Sequence, residues 1–161
     1  MSILQHIYGE WMEAYQKEKI EKILKLIKYQ YPVLDVGCGP GFLERFIENI
    51  ISVDNDVNYV RNVKHGILAS GAALPFKSNV FKTVFCIDSI HLFGNGSELL
   101  RVAAPGGLIV VGLFCNRYNS HEVFERLESY FPAIKIENRF LIQTAHENEA
   151  IITLIKPCIS E

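Results

Sequence analysis

The chain has 161 residues, of which 49% are apolar, 21% charged and 11% aromatic, the balance of a globular domain with a buried core and not of a disordered tail. At about 150 residues per domain the length predicts one domain, with little chain left over for a separate recognition module. Sixteen Lys and Arg against eighteen Asp and Glu give a net charge of −2 at pH 7, without the basic excess that draws a protein to a nucleic-acid backbone.

The longest apolar stretch, residues 108–115, falls far short of the roughly 20 residues a membrane-spanning helix needs. Gln5, His6 and Glu10 interrupt the apolar residues near the start, so neither a membrane span nor a signal peptide is expected. The cysteines Cys38, Cys86, Cys115 and Cys158 lie 48, 29 and 43 residues apart, too far for the close pairs of a zinc site or a thioredoxin-like motif. No metal site is expected, and the reading is of a reduced, cytoplasmic chain.

Helical and strand periodicities alternate along the sequence, with no repeat or Pro/Ser-rich linker between them. Ile20, Ile23, Leu24 and Ile27 recur at helical spacing among Glu and Lys, predicting an amphipathic helix over residues 10–29 that ends at Tyr31-Pro32. A strand over Val33 to Val36 enters a glycine-rich loop, and a helix is expected over 41–48. A second strand spans 50–53 and ends on Asp54. It is followed by a short helix over 56–61, a weak strand at 66–69, a fourth strand at 80–87 and a helix at 97–103. Pro105-Gly106-Gly107 turns into a strand at 108–114. After a helix at 120–130, strands at 134–142 and 150–156 are joined only by the polar stretch 144–149, which predicts an antiparallel hairpin. Alternating strands and helices require a twisted, mostly parallel sheet covered on both faces, and ligands bind such sheets at the carboxyl ends of the strands.

The loop after the first strand reads VLDVGCGPG, with Gly37, Gly39 and Gly41 just before the next expected helix. Glycines so spaced let the backbone turn sharply and let a ligand approach it without meeting a β-carbon; the plain alternative is a tight turn that binds nothing. A nicotinamide fingerprint needs its third glycine at position 42, which is Phe, and a phosphate-binding P-loop needs Gly-Lys-Ser/Thr, which is absent. Asp35 precedes the loop with no Lys or Arg between Pro32 and Glu44. At about 4 Å and an effective dielectric near 20 a charge pair is worth about 4 kcal/mol, attractive for an ammonium and repulsive for a pyrophosphate. Asp54, at the end of the second strand, suits a contact to both hydroxyls of a ribose. Either Asp alone could equally be a solvated loop carboxylate or a helix cap.

VLDVGCGPG, then SVDND, ALPF, FCIDSIHLF and RVAAPGGLIVV, in this order, resemble a class I S-adenosylmethionine-dependent methyltransferase of the ubiquinone- and menaquinone-biosynthesis type. The resemblance runs from about Tyr8 to Lys156. It implies an α/β fold, a Rossmann-like, doubly wound, mostly parallel seven-stranded sheet with a C-terminal antiparallel hairpin. The expected organisation is one methyltransferase domain over 1–161, with an N-terminal helical lid at 1–30 and a Rossmann-like core at 31–161.

The resemblance further implies that the loop Gly37, Cys38, Gly39 and Gly41 cradles the methionine part of the cofactor, with Asp35 meeting its ammonium. Asp54 would hold the ribose hydroxyls, with Asn55 near the adenine. The family usually has an acidic residue on the adenine amino group where this chain has Ser70, followed by Gly71 and Ala72; Ser70 can accept a hydrogen bond but carries no charge. The family's frequent Asp at the start of the fourth strand is Lys82 here. Asp88 and Ser89 would lie beside the methionine portion, and His91 is the candidate general base. Tyr8, Trp11 and Tyr15 resemble an aromatic segment that folds over the cofactor, with Tyr8 and Tyr15 as expected contacts.

The implied reaction is in-line displacement at the sulfonium methyl with S-adenosyl-L-methionine as cofactor and S-adenosyl-L-homocysteine as product, a reaction that depends mainly on alignment. Neither the Asn/Asp-Pro-Pro-Tyr motif of amino-group methylation nor the Pro-Cys nucleophile of pyrimidine methylation occurs. The acceptor is expected to be a small molecule, with a protein acceptor or a homodimer as alternatives, and no nucleic-acid partner. A non-catalytic S-adenosylmethionine-binding sensor or partner subunit is the second reading, and a hydride-transferring dehydrogenase the third.

Overall fold

The computed structural model describes residues 3–158, and side chains from Trp11 onward. Helix α1 (Ile3–Leu26) precedes strand β1 (Val33–Val36), and the chain continues through β2 (Ile51–Asp54), α2 (Val57–Val60), β3 (Gly66–Leu68) and β4 (Phe81–Ile87). The second half comprises α3 (Ile90–Phe93), α4 (Ser97–Val102), β5 (Ala103–Cys115), α5 (Ser120–Ser129), β6 (Ile136–Gln143) and β7 (Asn148–Ile155). The strands form one seven-stranded sheet in the order β3-β2-β1-β4-β5-β7-β6. Strands β1 to β5 pair in parallel. Strand β7 runs antiparallel between β5 and β6. The α/β class, the doubly wound order and the C-terminal hairpin all follow the sequence expectation.

Period-two alternation divides the strand residues between two cores. On one face Leu34, Val84, Ile109 and Ile152 pack with Leu99 and Val102 of α4 and Leu127 of α5. On the other, Val33, Phe85, Val110 and Ile151 pack with Ile20 and Ile23 of α1 and with Ile27 just past its end. Burying each of those α1 isoleucines contributes roughly 2 kcal/mol, which fixes the helix against the sheet. The same alternation assigns Asp35, two residues after Val33, and Glu149, two before Ile151, to the face that α1 covers. Polar residues thus occur on an otherwise apolar face, at the carboxyl end of β1 and at the start of the antiparallel β7.

One expected element differs. The helix expected over 41–48 is a single 3-10 turn, Leu43–Arg45. Phe42, Leu43, Phe46, Ile47 and Ile50 all belong to or pack against the α1-facing core, and Gly41 and Asn49 both have positive φ. A regular α-helix here would place some of these side chains in solvent, so packing overrides periodicity. A second feature concerns 105–107. The strand pairs with β4 at both Ala103 and Leu108, and residues 104–107 bulge out between those positions, where Gly106 has φ +73°.

Candidate functional site: a divided cavity at the glycine loop

The sheet order reverses between β1 and β4, and the carboxyl ends of these two strands carry the site. After Val36 the chain turns sharply. The Gly37 and Cys38 N–H groups both donate to the Val53 carbonyl, at 2.8 and 3.0 Å, and Gly41 N–H donates to the Cys38 carbonyl at 3.0 Å. Gly37 has φ +77°, and a β-carbon there would come within 2.3 Å of the Ser89 side chain. Ser89 is held in turn by donating to the Val36 carbonyl at 2.7 Å. Gly39, at φ +51°, differs: a β-carbon there would meet nothing within 4 Å, so its backbone faces open space.

Two cavities flank the loop and share Gly37 in their walls. The first, of about 180 Å³, is lined by Asp35, Cys38, Gly39, Asp88 and the apolar Phe42, Leu43 and Ile87, and is covered by Gln16 and Ile20 of α1. The second, of about 90 Å³, is lined by Asp54, Asn55, Ser70 and Gly71 with Val53, Leu92 and Phe93.

Three carboxylates give the cavities their character. Asp35 is buried, and burial, with the carboxylates of Asp54 and Glu44 adding to it, raises its pKa to about 7. Asp54 accepts from Gly39 N–H at 2.8 Å and from Asp56 N–H at 3.0 Å, so both oxygens are fixed while each retains a lone pair. Asp88 sits at φ +56°, rare for a residue with a side chain. Its Oδ1 accepts from Phe114 N–H at 2.9 Å and its Oδ2 is ion-paired with Lys19 of α1.

The other residues singled out in the sequence divide around these walls. Ser70 Oγ accepts from Ala72 N–H at 3.1 Å, while Ala72 is exposed and Gly41 turns the chain, neither among the residues lining the cavities. The segment carrying Ser70 is tied to α4 where Glu98 accepts from Leu74 N–H at 2.7 Å and Arg101 donates to the Phe76 carbonyl at 2.7 Å. Lys82 is exposed near the start of β4. His91 is exposed on α3, apart from the residues lining either cavity. Trp11 and Tyr15 stack with ring centroids 6.1 Å apart, and Tyr15 is buried beside the first cavity without lining it. The Tyr8 side chain lies outside the described residues.

Sequence reasoning missed Gln16 and Ile20 as the α1 contribution to the wall, together with Lys19 and Glu149 behind it. The helical spacing of Ile20, Ile23 and Ile27 also brings Gln16 and Lys19 toward the buried side. That signal was available, but polar residues on an amphipathic helix read by default as its wet face.

The arrangement suits a two-ended ligand: an ammonium-bearing end between Asp35 and Asp88, and a ribose with a flat apolar ring between Asp54 and the Leu92, Phe93 and Val53 side chains. The open backbone at Gly39 leaves room for the joining atoms. S-adenosylmethionine has this form, and the residues present fit it.

Residues 34–111 match the family described as a methyltransferase domain. An uncharacterised protein of Methanocaldococcus jannaschii is 29% identical over 75% of this chain and 59% of its own length. The tRNA (carboxymethyluridine(34)-5-O)-methyltransferase of Schizosaccharomyces pombe is 28% identical over 55% of this chain and 44% of its own. The chain thus spans about half the length of these curated relatives. The crystal structure of a SAM-dependent methyltransferase from Thermotoga maritima superposes with TM-score 0.71 at 15% identity, covering 94% of this chain and 95% of that one. The chain therefore resembles a methyltransferase domain over residues 34–111 and has the fold of the S-adenosylmethionine-dependent methyltransferase on which it superposes. The cofactor of that class is S-adenosyl-L-methionine.

Proposed function

We propose that the protein transfers the methyl group of S-adenosyl-L-methionine to a small-molecule acceptor and releases S-adenosyl-L-homocysteine. The observation that carries this reading is the cavity divided at Gly37, with Asp35 and Asp88 at one end and Asp54 at the other. The bound sulfonium would supply an electrophilic methyl group with a neutral leaving group. Asp35 and Asp88 then hold the amino-acid end, Asp54 and Asn55 orient the ribose and adenine end, and Ser70 and Gly71 border the base. Gln16 and Ile20 cover the first cavity and exclude water, which favours a nucleophile and methyl carbon held in line.

A small acceptor is favoured by this cover and by the charge of the surroundings. Asp35, Asp88 and Glu147 lie around the α1 side of the site with Lys19 as the buried cation among them, a net acidic surrounding that disfavours phosphates. The tRNA named for one relative is therefore the less favoured acceptor. Lid-like behaviour of 1–30 belongs to the same reading, since Gln16 and Ile20 reach the cavity from that segment.

The test is to incubate the protein with S-adenosylmethionine and a panel of phenols, amines, thiols and carboxylates and to follow S-adenosylhomocysteine release by mass spectrometry. Release with at least one acceptor is the expected result. Cofactor-dependent thermal stabilisation without release across the panel would favour a sensor or partner subunit instead. Stabilisation by NADH and not by S-adenosylmethionine would overturn the reading.

A further inference from the structure

The side of α1 that faces the sheet carries a buried polar cluster that the cofactor reading does not use. Lys19 and Glu149 are fully buried, and Tyr15 nearly so. The Lys19 ammonium is ion-paired with Asp88, lies 3.5 Å from Glu149 Oε2 and sits 5.1 Å from the centroid of the Tyr15 ring. Among the described residues, no hydrogen-bond partner lies within reach of Glu149 Oε1 or the Tyr15 hydroxyl. Burial, more than the neighbouring charges, raises the Glu149 pKa well above the usual carboxylate range.

Such a cluster is a poor stabiliser, because desolvating two ions offsets much of their attraction and unpaired buried oxygens cost more still. Its position indicates a different use. Lys19 lies between Gln16 and Ile20, both of which line the first cavity, and it reaches the one member of the cluster that also lines it, Asp88. Asp88 is about one-third exposed, on a strained left-handed backbone, with the buried Glu149 carboxyl behind it. Without a cation at Oδ2, the Asp88 carboxylate would keep the Phe114 N–H at Oδ1 and lose the charge that holds its other oxygen beside α1.

We infer that Lys19 is a positioning residue: by pairing with Asp88 across the α1 interface it holds that carboxylate at the methionine end of the cavity, so that docking of α1 completes the cofactor site. This inference rests on the cofactor assignment above. It makes α1 part of the binding site through charge, in addition to its role as a cover.

Two ligands separate this role from a merely structural one. S-adenosylhomocysteine and 5′-methylthioadenosine share the adenosine and thioether, and only the first has the amino-acid end. Calorimetric titration of both is to be carried out on the wild type, Lys19→Met, Lys19→Arg, Asp88→Asn and the Lys19→Met/Asp88→Asn double variant. Lys19→Met is expected to weaken S-adenosylhomocysteine about tenfold or more, as for loss of a charge-assisted contact, and to leave 5′-methylthioadenosine within about twofold. Lys19→Arg restores most of the loss, and Lys19→Met adds little in the Asp88→Asn background. Equal weakening of both ligands, unchanged S-adenosylhomocysteine affinity, or a full Lys19 effect without the Asp88 carboxylate would each overturn the inference. If the Met variant does not fold, Lys19→Gln, which keeps a donor without the charge, makes the same comparison. Failure of the wild type to bind either ligand removes the cofactor assignment, and this inference with it.

Discussion

On the β1 side the cavity wall is backbone. Gly37, Cys38 and Gly39 line the first cavity, Val53 and Asp54 hold them by hydrogen bonds of 2.8 to 3.0 Å, and Ser89 packs against Gly37. On the α1 side the wall is side chain, with Gln16 and Ile20 in front and Lys19, Asp88 and Glu149 behind. The first wall is held in place by those hydrogen bonds and by the contact of Gly37 with Ser89. The second depends on the docking of a helix and on charges that are matched only while it is docked. The contrast suggests a division of labour in which the loop supplies a standing site for the cofactor and the helix completes it.

The largest expected effect lies in the first wall. Gly37→Val combines φ +77° with a β-carbon 2.3 Å from Ser89, and should cost about 3 kcal/mol or more in urea denaturation. Gly39→Ala meets no neighbour, so backbone strain alone should cost about 1 kcal/mol while cofactor affinity falls by about tenfold or more as the cradle fills. Equal stability losses at the two positions would remove the distinction between a packed glycine and an open one.

In the charged wall, Glu149→Ala leaves a cavity and deprives Lys19 of a neighbour, a loss of about 3 kcal/mol. Glu149→Gln keeps the shape and should cost less than about 1 kcal/mol near pH 7, because the raised pKa already favours the neutral acid. The sign follows from linkage. The folded state binds the proton more tightly than the unfolded one, so wild-type stability falls as pH rises above the ordinary carboxylate pKa, and the Gln variant escapes that fall. Parallel pH–stability curves for the two proteins would contradict this.

A smaller effect concerns Asp35. With its pKa near 7, the free protein holds the carboxyl largely protonated at pH 6 and ionised at pH 8. An ammonium ligand needs the ionised form, so affinity for S-adenosylhomocysteine should rise about tenfold over that interval and flatten in Asp35→Asn. Calorimetry in buffers of different ionisation heat would detect the released proton below pH 7. A flat wild-type profile would break the assignment of Asp35 to the ammonium.

The loop side was the legible one. Its glycines, Asp35 and Asp54 act within about twenty residues of each other, and glycine spacing reports backbone geometry directly. The mostly parallel sheet was legible in the alternation of strands and helices, and the C-terminal hairpin in the short polar stretch 144–149 that joins its strands. The α1 side was not legible, because Lys19, Asp88 and Glu149 are separated by 69 and 130 residues along the chain and meet only after the sheet has formed. His91 was drawn forward by its residue type and motif, yet its placement on α3 turns it to solvent. The missing helix at 41–48 teaches the same point: a helical periodicity in Leu43, Ile47 and Ile50 was satisfied by packing onto a core that local sequence cannot specify.

The most direct test of the central claim, that the two cavities joined at Gly37 hold one cofactor, is calorimetric titration of S-adenosylmethionine into the wild type and Asp54→Ala at pH 8. Asp54 lines the second cavity, and its removal leaves the Gly39 and Asp56 N–H groups without their acceptor. The account predicts one site per chain in the wild type and an affinity at least about tenfold weaker in the variant, a loss of roughly 1.5 to 3 kcal/mol. Equal affinity in a folded Asp54→Ala protein, or no binding by the wild type, would contradict it.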